Sequence, residues 1–250
     1  WWWQLEAAQD IPVGSVAEVV GIDLFEGVDS GKLVELQAAG KRVICYFSAG
    51  TFEPWRPDAA RFSSEALIEG AVLPRFDDET WLAIGDRDAL ASLIEPIMLA
   101  RLDLARDAGC DAVEPDNVDG FSNPETDGAI SSFDQLRYNR WLAEQAQARG
   151  LSVALKNDVE QLQALEPWFD FAINEQCFGY GNECLAYAAT FLANGKAVFN
   201  QEYGDGDAGS VSADEYERVA CPALRAQGIG SLWKRTRQLD GRGVRTCAAR

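Results

Sequence analysis

The chain has 250 residues, 47% of them hydrophobic, and sets 22 Lys and Arg against 40 Asp and Glu for a formal net charge of -18. A chain of this size builds one large α/β domain or two small ones, and its charge argues against nucleic acid and anionic membrane as partners while favouring a polycation. It contains no histidine, so Ser-His-Asp triads, Cys-His pairs and histidine-ligated zinc are excluded, leaving carboxylates, lysine, tyrosine and cysteine to carry any chemistry.

No apolar run reaches the roughly 18 residues of a membrane span, and residues 1–20 lack the basic-then-apolar pattern of a signal peptide. Eight short apolar runs follow in chain order: VAEVVGIDL (16–24), KRVICYFSA (41–49), TWLAIG (80–85), CDAVEPD (110–116), LSVALK (151–156), FDFAIN (169–174), KAVFNQEY (196–203) and IGSLWK (229–234). Helix-like segments lie between them at 30–39, 87–108, 132–149, 158–167, 183–194 and 213–227, and Gly40, Gly109, Gly150, Gly195 and Gly228 stand at the expected C-caps. Only the connection 50–79 is irregular. Buried strands alternating with helices, without a linker, predict a single (β/α)8 TIM barrel spanning residues 1–250. An open doubly wound sheet fits less well, because no G-x-G-x-x-G follows the first strand.

In such a barrel the chemistry sits at the C-terminal ends of the strands. Those ends are acidic: Asp23 closes the first run, Asp116 the fourth, Glu175 follows the sixth and Glu202 ends the seventh, while Lys156 and Asn157 close the fifth. Any one of these reads equally well as a helix cap or loop anchor, and Asp119 and Asp158 are read that way. Glu114, inside a strand, is read as an acceptor for Lys156. Four acidic ends on one face are more than stability requires. The oxygens of Asp116, Asn117 and Asp119 form a possible Ca²⁺ or Mg²⁺ set but lack the glycine-containing loop of an EF-hand, so the reading is no metal and no cofactor. Of the aromatics, Trp81 is expected in the core, and Tyr46, Tyr180 and Trp233 beside the carboxylates, Tyr180 and Trp233 as platforms for a sugar ring. The six cysteines form no Cys-x-x-Cys pair and favour disulfides in an oxidising compartment. Cys177 and Cys184, seven apart in CFGYGNEC, are expected to bridge, as are Cys221 and Cys247, while Cys45 and Cys110 are read as buried thiols with a bridge between them as the alternative.

The segments WWWQL, GIDLF (21–25), VICYFSAGTFEPWRPD (43–58), RLDLARDAGCDAVEPDNVDGF (101–121), LSVALKND (151–158), FDFAINEQCF (169–178) and GKAVFNQEY (195–203) together resemble glycoside hydrolase family 114, the endo-α-1,4-polygalactosaminidases. The resemblance implies a (β/α)8 barrel, secretion and hydrolysis of a cationic galactosamine-containing polysaccharide. It also implies that the aspartate of PDN and the glutamate of NEQC are catalytic, which here are Asp116 and Glu175. The family pattern leads one to expect an aspartate where this chain has Ala83. Two carboxylates suffice to break a glycosidic bond. Asp116 is then the expected nucleophile and Glu175 the acid/base with a raised pKa, in a retaining reaction, with Asp23, Tyr46, Asn117, Lys156, Tyr180, Glu202 and Trp233 shaping the sugar site. Asp23 or Glu202 is expected to meet the substrate's amines, and the protein to act as a monomer. The competing readings are a non-catalytic module that binds cationic polysaccharide and an α-galactosidase-like hydrolase of neutral sugars.

Overall fold

The computed structural model describes residues 1–74 and 76–247. Among these, eight parallel strands lie side by side in chain order: β1 (Trp2–Gln4), β2 (Val19–Asp23), β3 (Arg42–Ser48), β4 (Ala112–Asp116), β5 (Ser152–Lys156), β6 (Phe171–Glu175), β7 (Val198–Tyr203) and β8 (Gly230–Lys234). A ninth, β9 (Arg245–Thr246), pairs antiparallel with β8. Helices return the chain between strands and cover the outer face, so β5 is buried at Val153, Ala154, Leu155 and Lys156 alike, the double burial that parallel strands require. The main core lies between sheet and helices. Leu142, Ala143 and Ala146 of the helix Ser132–Gln147 belong to it, and Leu142→Ala would cost about 2 to 5 kcal/mol. That helix starts where Ser131 Oγ accepts from the Asp134 amide at 3.1 Å, an N-cap worth about 1 kcal/mol. Gly195 and Gly228 cap helices in the left-handed region, as their positions predict.

The sheet curls strongly. Trp3 of β1 donates from Nε1 to Glu114 Oε2 of β4 at 2.9 Å across the concave face. Trp1 stacks on Phe199 of β7 with centroids 4.8 Å apart, and Trp3, Tyr203 and Leu232 form one buried cluster drawn from β1, β7 and β8. Smaller apolar residues, Ile44, Ala112, Ala154 and Ile173, fill the interior further down.

The sequence reading counts eight sheet strands but takes one from the wrong place. TWLAIG does not enter this sheet. Phe76–Leu82 instead pairs antiparallel with Thr51–Phe52 and Leu67–Leu73 in a separate three-stranded sheet within the excursion between β3 and β4. Its burial alternates, Glu79 and Trp81 inward and Asp78 outward, the signature of a one-sided antiparallel strand that a six-residue apolar window hides. The missing parallel strand is Trp2–Gln4, whose aromatic run carries no turn or helix signal. With TWLAIG removed, β3 and β4 become neighbours. That brings Cys45 and Cys110 to a Cα separation of 6.0 Å, and they are bridged, which corrects the expectation of free thiols. Cys177–Cys184 and Cys221–Cys247 are bridged as expected. Buried Arg101 pins the excursion to the sheet: its guanidinium holds Asp58 through two hydrogen bonds and donates to the Ser48 carbonyl at the end of β3 at 2.6 Å.

Candidate active site

Three adjacent strands each end in a charged side chain followed by an amide residue: Asp116-Asn117 on β4, Lys156-Asn157 on β5 and Glu175-Gln176 on β6. All three amide residues adopt left-handed backbone, with φ of 58°, 48° and 64°, a conformation that costs a non-glycine residue on the order of 1 kcal/mol and persists only where surroundings enforce it. Their side chains supply that enforcement. Asn117 Nδ2 donates to Ser48 Oγ at 3.0 Å and Thr51 Oγ1 at 3.1 Å. Asn157 Oδ1 accepts from the Glu175 amide at 2.9 Å, and Gln176 Oε1 accepts from Arg237 Nη2 at 2.5 Å. Gly50 packs so closely behind Asn117 that a Cβ there would lie 1.6 Å from the Asn117 carbonyl oxygen. The strand ends are bent and locked together, which fixes where the charged side chains point.

They converge on one cation. Lys156 Nζ lies 2.9 Å from Glu114 Oε1, 3.2 Å from Asp116 Oδ1 and 3.4 Å from Glu175 Oε2, with the rings of Trp3 and Tyr46 on its flanks. Burial alone would lower the pKa of this ammonium, but Asp116, Glu114 and Glu175 together hold it well above its usual value. Glu114 is thus the acceptor for Lys156 that its position in the strand suggested. Burial pushes it up to about 7 against the pull of Lys156. Glu175 departs from expectation. Burial raises it, yet Lys156, the Tyr203 hydroxyl donating at 2.6 Å and Arg237 outweigh burial, so its carboxyl sits below the ordinary range in the free protein. The expected raised pKa is therefore corrected; the neighbours that orient this group also charge it.

The cluster opens into a cavity of about 950 Å³, at the upper end of small-molecule sites. Of the residues expected around it, Asp23, Tyr46, Asn117, Lys156 and Tyr180 line it together with Asp116 and Glu175. Asp23 is already spoken for: its Oδ1 caps the helix Leu24–Asp29, and Arg56 pairs with Oδ2 at 2.6 Å. Glu202 and Trp233 do not line the cavity, and both assignments are corrected. Glu202 is fully buried behind the wall and accepts from the amides of Phe178 and Gly179 at 2.9 and 3.3 Å, clamping the Cys177–Cys184 loop. Burial pushes it up to about 7. Trp233 is buried and donates to the Val211 carbonyl at 2.7 Å. The reason is strand alternation, since neighbouring residues point to opposite faces: Tyr203 faces the cavity, so Glu202 cannot. Asp119 and Asp158 precede short helical turns without capping them through their side chains. Asp119 instead lines the cavity, pushed up to about 6 by burial and then by Asp116, and Asp158 is buried against Asn139 at 2.9 Å and pushed up to about 8 by burial.

Sequence reasoning missed Trp3, Glu53, Arg56, Glu79 and Arg237 as cavity-lining residues. The repeated pairing of a charged strand end with Asn or Gln was the one local signal available, and it points to Asn157 and Gln176. Glu53, Arg56 and Glu79 come from the excursion, whose pairing no local pattern announces. Exposed Trp55 and Phe76 stand on the same rim. Chemically, the arrangement offers two carboxylates steadied by one ammonium in a wide polar cavity with aromatic edges, a set that serves acid/base and nucleophilic work on a neutral or cationic substrate.

A family model described as glycoside-hydrolase family GH114 matches residues 1–249. Among solved structures, the chain is similar to Aspergillus fumigatus Ega3 in complex with galactosamine, at 36% identity, 99% coverage of this chain and 94% of that chain, and a TM-score of 0.83. The glycoside hydrolase domain of PelA from Pseudomonas aeruginosa is similar in fold, at 16% identity, 96% and 94% coverage and a TM-score of 0.62. So is a GH18 chitinase from Pseudoalteromonas aurantia, at 10% identity, 93% and 92% coverage and a TM-score of 0.54. A comparison with curated proteins gives no match.

Proposed function

The chain belongs to glycoside-hydrolase family GH114, and from that premise we propose that it is a secreted, endo-acting hydrolase of α-1,4-linked galactosamine polymers, folded as one catalytic domain whose sheet closes into a (β/α)8 barrel. Asp116 is the nucleophile and Glu175 the acid/base. The observation that carries this reading is the sharing of Lys156: Asp116 Oδ1 and Glu175 Oε2 lie 3.2 and 3.4 Å from one nitrogen, so these two oxygens are at most about 6.6 Å apart. That bound accommodates the roughly 5 to 5.5 Å carboxyl separation of retaining enzymes, in which one carboxylate attacks the anomeric carbon directly. Lys156 holds Asp116 in place and, with Tyr46, closes the floor of the site. Glu175 takes up its proton when a sugar fills the cavity, because the ring removes the remaining water from a carboxyl on which burial is already the largest influence. Glu175 then protonates the leaving oxygen and later activates water. The excess negative charge draws in a polymer of protonated amines, the similarity to a galactosamine-bound structure points to the same sugar, and three disulfides suit an oxidising compartment.

Incubation with a partly de-N-acetylated α-1,4-galactosamine polymer, followed by mass analysis and proton NMR, tests the reading. Shortened oligomers whose first-formed end is the α-anomer are expected. Intact polymer overturns the hydrolase assignment for this substrate, and an initial β-anomer overturns retention.

A further inference from the structure

The expected amine acceptors, Asp23 and Glu202, are both engaged elsewhere in the structure, so the cavity must recognise an ammonium by another group. Four carboxylates of β2 and the excursion differ in their partners. Asp23 is paired with Arg56, and Glu53 receives two hydrogen bonds from the same guanidinium at 2.8 and 2.7 Å. Asp58 is held by Arg101. Glu79 is different. It lines the cavity while only 6% exposed, accepts a single hydrogen bond, from Thr51 Oγ1 to Oε2 at 2.7 Å, and among the described residues no cation pairs with it and Oε1 has no donor. Glu79 therefore presents to the cavity one carboxylate oxygen that no protein group serves, while its neighbours are taken up by guanidinium groups.

Thr51 also contacts Ser48 Oγ at 2.6 Å and accepts from Asn117 Nδ2 at 3.1 Å, and Asn117 directly follows Asp116. Glu79 therefore sits on the Asp116 side of the cavity, tied to the catalytic strand end through three side chains. On the same antiparallel strand, Trp81 lines the cavity, and Phe76 stands at its rim.

Resting on the hydrolase reading above, we propose that Glu79 is the specificity carboxylate that receives the ammonium of a de-N-acetylated hexosamine ring through Oε1, and so selects free-amine sugars over N-acetylated ones. An acetamide offers a bulkier, uncharged group there and leaves the carboxylate desolvated without a counter-charge. Burial pushes Glu79 up to about 7, with Glu53 and Asp116 raising it further and the Thr51 hydroxyl and Arg56 opposing; Tyr46 faces the same space. The sign follows. The carboxylate form that attracts an ammonium is present above about pH 7 and is lost as pH falls through that value, so selectivity falls with it.

The test uses the full chain carrying Asp116→Asn, which spares the ligand from hydrolysis, and measures calorimetric binding of galactosamine oligomers with free and with acetylated amines. At pH 7.5 the free-amine oligomer is expected to bind roughly ten- to a hundred-fold tighter, the scale of a hydrogen bond between charged groups. Adding Glu79→Gln, which keeps size and the Thr51 hydrogen bond, should bring the two oligomers to near equality. Lowering the pH to 5.5 should do the same without that substitution and change little with it. If the Glu79→Gln protein keeps the preference, or if the preference is indifferent to pH, the assignment of Glu79 is overturned while the hydrolase reading stands. If the Asp116→Asn protein binds both oligomers equally at pH 7.5, the Glu79 assignment falls and the hydrolase reading stands; if it binds neither, the galactosamine-polymer reading falls with it. Should Glu79→Gln fail to fold, Glu79→Asp, which keeps the charge but withdraws it from the cavity by one methylene, should lose most of the preference at pH 7.5, and a preference kept in full overturns the assignment.

Discussion

Two regions face the same cavity with carboxylates and treat them in opposite ways. Along β4, β5 and β6, Glu114, Asp116 and Glu175 share one buried ammonium, and every one of them lies within 3.4 Å of it. In the excursion between β3 and β4, Arg56 neutralises Glu53 and Asp23, but Glu79 is left with a hydroxyl. The first region is saturated with internal partners, which fixes positions to the tolerance that bond-breaking demands. The second keeps one acceptor open to the cavity, as suits a group awaiting a charged ligand. On the proposed assignments, rigidity for chemistry and an open acceptor for recognition are divided between a parallel sheet and an antiparallel insertion.

The largest expected effect falls on the saturated region. Asp116→Asn and Glu175→Gln should each lower turnover by about 10³-fold or more, as losses within a catalytic unit do, with an unchanged circular dichroism spectrum; near-normal turnover in either removes that residue from the mechanism. Lys156→Met should follow. It strips the shared ammonium from three carboxylates and should destabilise the fold by about 3 to 5 kcal/mol. The carboxyl of Glu175, held below its ordinary range largely by Lys156, would take up a proton more readily, so the deficit should shrink as pH falls. Denaturant titrations at pH 7 and pH 5 measure this, and an equal deficit at both would mean that the ammonium is not what holds the carboxylates charged.

The two regions can also be separated by their staples. Cys45–Cys110 closes 65 residues, including the whole excursion, whereas Cys177–Cys184 closes seven. Loop-closure entropy predicts about 4 kcal/mol for the first and about 2 for the second. Paired Cys→Ala replacements compared by thermal unfolding should preserve that order, and a reversal would show that strain, not loop length, dominates. Tyr203→Phe removes the hydroxyl donated to Glu175 and should raise that group's pKa, moving the descending limb of kcat/KM toward higher pH by a fraction of a unit. In the unsubstituted protein the same limb should lie at lower pH for kcat/KM than for kcat, since the former reports the free enzyme and the latter the complex. The smallest effect is on long-range attraction. Raising salt from about 0.1 to 1 M shortens the Debye length from about 10 to 3 Å, and KM for a cationic polymer should rise while kcat changes little; salt-indifferent kinetics would argue against a charged substrate.

The sequence by itself determined the parallel repeat, because strands buried on both faces must be apolar throughout and must end where polar groups reach solvent. That is why Asp116, Lys156 and Glu175 were legible as strand ends, and why their order along the chain predicted their order in the sheet. It also determined the short-range Cys177–Cys184 bridge, where two glycines allow the chain to fold back. Tertiary structure alone decided what depended on pairing between distant segments. Trp2–Gln4 became a sheet strand and Phe76–Leu82 did not, although the latter looks more strand-like in isolation, because propensity says that a segment extends and not which edge it joins. That choice set β3 against β4 and so bridged Cys45 to Cys110. It brought Glu79 to the cavity from a segment without local signal. At β7 one residue of register gave the site Tyr203 and took Glu202 away, a difference that depends on which face of the strand turns inward and that only the packed sheet fixes.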